Sequence, residues 1–367
     1  MMGADIVILG LSITSSWGNG HATTYRALTK ALARRGHRVS FLERDVPWYA
    51  SHRDLPDPPW CRALLYRDRR DLEARYAGLV RRADAVIAGS YVPEGVAVGG
   101  WALDVAGGIV AFYDIDTPVT LARLARGEEE YLSRELLAGY ELYLSFTGGP
   151  TLKRIEAMGS PRAAALYCSA DPQEHYPVRT RRKWRLGYLG TYSADRQPAL
   201  DRLLFAAARS RPRDRFAVAG PQYPESVGWP GNVAHIAHLA PAKHRTFYSA
   251  QSFTLNITRS DMREAGWSPS VRLFEAACCG VPIISDRWAG LETFLAPGRE
   301  ILTAATTGDV LAALTISEAE RRAIAKAARQ RVLAEHTADH RAAELERLLF
   351  GAADRPSRAA VQPVAAE

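Results

Sequence analysis

Short apolar runs, small polar turns and amphipathic stretches follow one another along this chain in a repeating order. Residues 5–11 (Asp-Ile-Val-Ile-Leu-Gly-Leu) are the first apolar run and predict a buried strand. Small polar residues and glycines come next, including Gly18, Asn19, Gly20 and His21. Residues 22–35 have helical spacing and are closed by Gly36; residues 38–42 predict a second strand. That is a βαβ unit with a Gly-rich first turn. The order restarts later, with a strand at 184–189, a turn at 190–193, a helix at 196–210 and a strand at 213–219. An α/β protein of two facing Rossmann-like, doubly wound domains with a cleft between them is therefore predicted. The domains are residues 1–170 and 184–335. Residues 171–183, which carry prolines and a basic cluster but no periodicity, are the predicted linker. A last helix lies within 336–350, and 351–367 reads as a disordered tail.

The chemistry concentrates in residues 268–286. Ser268 is a good N-cap and Pro269 suits a first helical position; Gly280 stops the helix and 281–284 is a short apolar strand. Arg272 and Glu275 are three apart and share a face near the helix N-terminus. An anion there meets free N–H groups, the Ser270 hydroxyl and the Arg272 guanidinium. Glu275, one turn deeper, can accept two hydrogen bonds from a vicinal diol such as a ribose, so the stretch suits a nucleotide. The plain alternative is a surface Arg–Glu pair worth roughly 0.2–0.5 kcal/mol.

Other candidates stand at predicted strand ends, where open α/β sheets bind ligands. Gly190, Thr191 and Tyr192 offer backbone N–H groups and hydroxyls to a diphosphate, and Arg259 is either a second cation for it or an exposed surface arginine. Asp114 and Asp116 either orient His21 or a sugar hydroxyl, or serve the helix that starts at Thr117-Pro118. Their D-x-D spelling precedes a helix in a βαβ pattern, so no metal is expected there. Gly148 and Gly149 form a turn that lets backbone approach a ligand or is only a turn. The first turn is not G-x-G-x-x-G, and Glu43, Arg44 and Asp45 give an ambiguous ribose signal, so a dinucleotide site has weak support. Residues 46–60, rich in Pro and Trp, read as a long loop over the first domain.

The run Ser268-Pro269-Ser270-Val271-Arg272-Leu273-Phe274-Glu275-Ala276-Ala277-Cys278-Cys279-Gly280 resembles the nucleotide-sugar signature of group 1 glycosyltransferases, and more closely that of the CgeB-like (spore maturation) branch. The resemblance extends to residues 114–118, 146–150 and 190–192. It implies a GT-B fold with the last helix crossing back to the first domain. It also implies that the loop with Gly18, Asn19 and Gly20 faces the cleft. One position departs: the wider group has a second glutamate eight residues before the first, and here Trp267 stands there.

The composition is compatible with this. The chain has 367 residues, 47% hydrophobic and 24% charged, enough for two domains of ordinary size. The net charge of +7 suits phosphorylated ligands, and no nucleic-acid motif accompanies it. Four cysteines without a C-x-x-C pair read as buried free thiols. No leader and no membrane span are read, so a cytoplasmic protein is expected. The expected activity is metal-independent transfer of a sugar from a nucleoside diphosphate sugar, with no cofactor, to an unidentified acceptor. Diphosphate charge would be met by Ser270, Arg272, Arg259 and Thr191, with His21 as a base if configuration inverts. A non-catalytic sugar-nucleotide-binding scaffold, or an epimerase acting on the nucleotide sugar, remains open at this point.

Overall fold

The computed structural model describes residues 3–18 and 20–351. Asn19 and the expected tail at 352–367 lie outside the described residues. The first sheet contains β1 (Asp5–Gly10), β2 (Arg38–Arg44), β3 (Arg62–Tyr66), β4 (Ala85–Gly89), β5 (Ile109–Asp114), β6 (Leu142–Ser145) and β7 (Ala163–Ala165). Their order is β3-β2-β1-β4-β5-β6-β7 and all neighbours are parallel. The second sheet contains β8 (Trp184–Leu189), β9 (Phe216–Ala219), β10 (Val233–Ile236), β11 (Gln251–Asn256), β12 (Ile283–Ser285) and β13 (Leu302–Thr303), in the order β10-β9-β8-β11-β12-β13. β1 is apolar on both faces because helices cover both, and it takes an interior position, pairing Ile6 with Val39 on one side and Ala85 on the other. Strand order reverses between β1 and β4 and again between β8 and β11. Each reversal leaves a crevice at the carboxyl ends of the strands, which is where such sheets bind ligands.

Three local differences from the sequence reading have simple causes. Within residues 46–60 a single helical turn, Pro47–Ala50, forms, and β3 follows directly as an edge strand too short to stand out. β10 is another short edge strand. Residues 86–112, an apolar stretch rich in glycine, hold a helix, Gly95–Val105, in which glycine permits close packing: a Cβ at Gly99 would sit 2.2 Å from the Tyr140 hydroxyl.

The helix Ala338–Phe350 lies against the helix Gly20–Arg34. Its Ala338, Ala342, Leu345, Leu348 and Leu349 join Ile6, Ile8, Leu28 and Leu32 in one apolar cluster of the first sheet. Each leucine buried this way contributes about 1.5–3 kcal/mol. Arg34–Asp339 and Arg35–Glu346 ion pairs at 2.8 and 2.6 Å mark the rim of that contact. The two sheets also meet directly. Thr147 Oγ1 and Ser268 Oγ are 2.9 Å apart, the Gly148 N–H donates to the Trp267 carbonyl at 3.0 Å, and Arg259 pairs with Asp116 at 3.1 Å. All four cysteines are free and buried. Among the described residues no helix is long and apolar enough to cross a membrane.

Candidate functional site

A cavity of about 260 Å³ opens between the two sheets at both strand-order reversals. From the first domain Ser16, Gly18, Gly20 and Thr23 line it. From the second domain come Gly190, Thr191, Arg196 and Gly220, then His238 and His244, then Tyr248, Arg272 and Glu275.

The first-domain loop is tied down by side-chain hydrogen bonds. Buried Glu43, at the end of β2, accepts from the N–H groups of Ile13 and Thr14 at 2.7 and 3.0 Å and from the hydroxyls of Ser12 and Thr14. The ambiguous ribose signal at Glu43 is thereby corrected: its carboxylate is consumed in shaping the loop. Asp54 holds Ser16 by N–H and hydroxyl and takes both terminal nitrogens of Arg26 at 2.8 and 2.9 Å. Burial raises its pKa, but the Arg26 and Ser16 hydrogen bonds outweigh this and hold it at about 2.

In the second domain the turn after β8 is cradled by backbone. The Gly190 N–H donates to Ala219 at 2.8 Å, and Gly220 (φ +149°) packs so tightly that a Cβ there would lie 2.0 Å from the Gly190 carbonyl oxygen. Arg196 closes the turn by donating to the Thr191 carbonyl at 2.8 Å.

The helix Val271–Cys278 starts later than its sequence suggests. Its N-cap is Ser270, in extended conformation, and not Ser268. Proline at 269 biases Ser268 to extended backbone. The Ser270 hydroxyl forms no cap bond because it donates to Asn256 Oδ1 at 2.7 Å instead, and Ser268 turns to Thr147. Arg272 and Glu275 are both buried, which corrects the surface-pair alternative. Arg272 donates through Nε to the Leu189 carbonyl and through Nη1 to Asn256 Oδ1 at 2.8 Å, and its guanidinium stacks 4.8 Å over Tyr188. Its Nη2 lies beside Gly190 at the cavity wall. Glu275 accepts from the Tyr248 hydroxyl at 3.2 Å.

The remaining sequence candidates form a second group beside the cavity and do not line it. His21 sits in the first turn of the helix Gly20–Arg34, its ring 5.3 Å from that of Tyr91. Tyr91 donates to Asp116, and Asp116 pairs with Arg259 across the two sheets. Arg259 thus serves first as an interdomain clasp. Asp116 occupies the N-cap position of the helix Thr117–Ala125 without capping it, since its carboxylate is spent on Tyr91 and Arg259; Thr117 is the first helical residue, not the cap. Asp114 is fully buried and accepts from Tyr143, Thr120 and the Asp116 N–H, so it is structural; burial raises its pKa to about 6. Gly148 and Gly149 let the chain pack against Trp267: the Gly148 N–H donates to its carbonyl at 3.0 Å, and a Cβ at Gly149 would sit 2.5 Å from the indole. Trp267 itself has φ +42°, a strained conformation for a bulky residue, and packs between Gly149 and Gly290. Tyr192 stacks edge-on with Tyr223 outside the lining. The sequence reading missed Arg196, His238, His244 and Tyr248. Only Pro241, opening the helix Pro241–Ser249, marked that wall, and no spacing shows that it faces Glu275.

Burial lowers the pKa of His21 to about 4, against the opposing pull of Asp116, and lowers that of His336 to about 3. Both folded values are below the ordinary 6.5, so both histidines favour the native state above 6.5 and lose that contribution as pH falls toward 4 and 3. Burial also lowers the pKa of His244, while Asp114, raised to about 6, and Asp286, also raised by burial, work in the opposite direction, so three histidines stand against two carboxylates. The melting temperature is therefore expected to fall as pH drops below about 6.5, and His336→Gln to flatten that fall; a scan by calorimetry between neutral pH and pH 5 checks both.

Comparison with known proteins adds the family context. A family model described as "Glycosyl transferase-like" matches residues 196–347, less than half of the chain. Curated protein sequences give no significant match. Among solved structures, sucrose-phosphate synthase from Thermosynechococcus elongatus superposes with a TM-score of 0.66 at 16% identity, covering 94% of this chain and 98% of that one. HepE from Anabaena in complex with UDP-glucose gives 0.69 at 12% identity, covering 94% and 99%. An alpha-glucosyltransferase in complex with UDP gives 0.69 at 11% identity, covering 95% and 100%. Two parallel sheets in this order, facing across a cleft and superposing over nearly their whole length on glycosyltransferases, establish that the chain has the GT-B fold.

Proposed function

We propose that the protein transfers a sugar from a nucleoside diphosphate sugar to an acceptor, and that the CgeB-like branch is its nearer kin. The observation that carries this reading is the cavity wall itself, where Arg196, Arg272, the Gly190–Thr191 turn and the N-terminus of the helix Val271–Cys278 meet the first-domain loop. The glycosyltransferase-like family match and the solved GT-B structures holding UDP and UDP-glucose support it, and make UDP-sugars the first donors to test.

The chemistry follows from charge. As the glycosidic bond to the donor breaks, the leaving diphosphate gains negative charge. Donors already fixed in place stabilise it without reorganising. Arg272 is fixed by three contacts, and Arg196 by its bond to Thr191. Glu275 is placed to accept the ribose hydroxyls, with Tyr248 holding its other oxygen. His21 stands beside Tyr91, which donates to Asp116 of the clasp, and its low pKa of about 4 leaves it neutral at pH 7, as a base for the acceptor hydroxyl must be.

Glu275→Gln removes charge-assisted hydrogen bonds worth about 1.5–3 kcal/mol and is expected to raise the UDP dissociation constant roughly 10- to 100-fold with little loss of stability; an unchanged constant by titration calorimetry removes Glu275 from the site. His21→Ala is expected to lower kcat with a specific acceptor by about 100-fold while UDP affinity stays; full turnover ends its role. Trp267, which fills the place where the wider group has a glutamate, favours one second reading, a binding protein without turnover. UDP binding with no hydrolysis or transfer across an acceptor panel would select it.

A further inference from the structure

Behind the nucleotide wall, His175, His244 and Glu275 each bring one ligand-type atom within 4.8 Å of the others. They arrive from three separately braced segments. His175 ends the turn that starts at Asp171, its N–H donating to the Asp171 carbonyl at 2.8 Å, and Asp171 is held by Lys30 at 2.9 Å. His244 stands on the helix Pro241–Ser249 and Glu275 on the helix Val271–Cys278. His175 and Glu275 are 7% and 3% exposed.

The protonation pattern is informative. His244 Nε2 is 3.2 Å from the Leu239 carbonyl, an atom that can only accept, so Nε2 carries the proton. Its Nδ1 therefore presents a lone pair, and that atom is buried with no hydrogen-bond partner among the described residues. A ring whose N–H is fixed by a carbonyl while the other nitrogen offers its lone pair is the usual state of a metal-bound histidine. His175 presents Nε2 to Glu275, 3.6 Å from Oε1 and too far for a hydrogen bond, and its Nδ1 is buried with no hydrogen-bond partner among the described residues. Buried polar atoms left without partners are rare and call for a ligand or water. Two imidazoles and one carboxylate are a ligand set for zinc-class ions. At metal–ligand distances of about 2.0–2.2 Å, the three atoms need to draw together by roughly an ångström, which side-chain rotation supplies.

We infer that His175, His244 and Glu275 form a site for one divalent transition-metal ion of the zinc class. This departs from the metal-free expectation drawn from sequence, where the three residues sit in unrelated segments. The ion's binding stands on these residues alone. Its coupling to the donor rests on the reading of Glu275 as the nucleotide anchor: ion and ribose then share one carboxylate, so each weakens the other by the same factor.

The test uses the full chain, without a polyhistidine tag and freed of metal by a chelator, titrated with Co²⁺ and followed by its visible d–d absorption. One equivalent of Co²⁺ is expected to give a band that Zn²⁺ abolishes. His175→Ala and His244→Ala are each expected to weaken Zn²⁺ binding at least tenfold; His244→Gln replaces the alanine variant if that one does not fold. Saturating Zn²⁺ is expected to weaken UDP binding about tenfold or more in the wild type and not in His175→Ala. Absence of the band, or equal Zn²⁺ affinity in wild type and both folded variants, overturns the ion site. UDP binding indifferent to bound Zn²⁺ overturns the sharing of Glu275. The Co²⁺ titration contains no nucleotide, so its failure leaves the transfer reading intact, and failure of UDP to bind the metal-free protein sinks that reading alone.

Discussion

Arg272→Ala is expected to raise the dissociation constant for UDP at least 100-fold and to lower the melting temperature by several degrees. Both effects trace to one buried guanidinium. It donates to the Leu189 carbonyl and to Asn256, stacks on Tyr188, and reaches the cavity with its remaining nitrogen. Alanine removes the charge-assisted bond that a diphosphate would feel directly and takes a donor from the half-buried Leu189 carbonyl, at about 1–3 kcal/mol, while Asn256 Oδ1 keeps the Ser270 hydroxyl. Arg272→Lys separates the two losses. A lysine keeps the charge but has no planar fork with which to hold Leu189 and Asn256 together. Recovery of no more than a tenth of the lost affinity is expected from Lys; full recovery would mean that charge alone matters and that the fixed geometry does not. Paired titration calorimetry and thermal melts on the two variants read both quantities.

Gly220→Ala is expected to abolish nucleotide binding and to cost at least about 3 kcal/mol of stability in denaturant unfolding. The added methyl would lie 2.0 Å from the Gly190 carbonyl oxygen, and the backbone at Gly220 has φ +149°. No flexible side chain is available to yield, because the collision is with backbone. The Gly190–Thr191 turn must move away, and with it the cavity wall that those two residues form. Gly18→Ala is the control. It also lines the cavity and has positive φ, but a Cβ there meets nothing within 4 Å, so only the conformational cost of roughly 1–2 kcal/mol applies. Equal losses in the two variants would show that crowding at Gly190 is not what makes Gly220 necessary.

The sequence showed the fold plainly because parallel strands buried on both faces are short apolar runs, as in residues 6–9 and 186–189. Edge strands β3 and β10 lack that signature and were invisible. At the site, Arg272, Glu275, Gly190 and Thr191 were legible because each sits where a strand ends or a helix begins, and local spacing is enough to find such points. Arg259, Asp116 and Ser268 were found too, but their roles were not: which partner a charged side chain takes depends on the other domain, and the clasp from Asp116 to Arg259 joins residues far apart in the chain. Glu43 shows the same limit. Its position after β2 marks it as interesting, and only the fold reveals that Ser12, Ile13 and Thr14 have already claimed it. His244 and Tyr248 carry no local signal at all.

The last helix, packed into the core of the first sheet, has a consequence for how this protein is made. The chain leaves the ribosome from its N-terminus, so β1 to β7 emerge long before residues 338–350. Until those residues appear, Ile6, Ile8, Leu28 and Leu32 lack part of their apolar cover. At about 5–20 residues per second the wait is on the order of ten to forty seconds, during which the half-finished sheet presents a greasy stripe to solvent or to a chaperone. Synthesis of the first half alone would make that wait permanent, and the two halves of this protein are therefore one folding unit in time although they are two sheets in space.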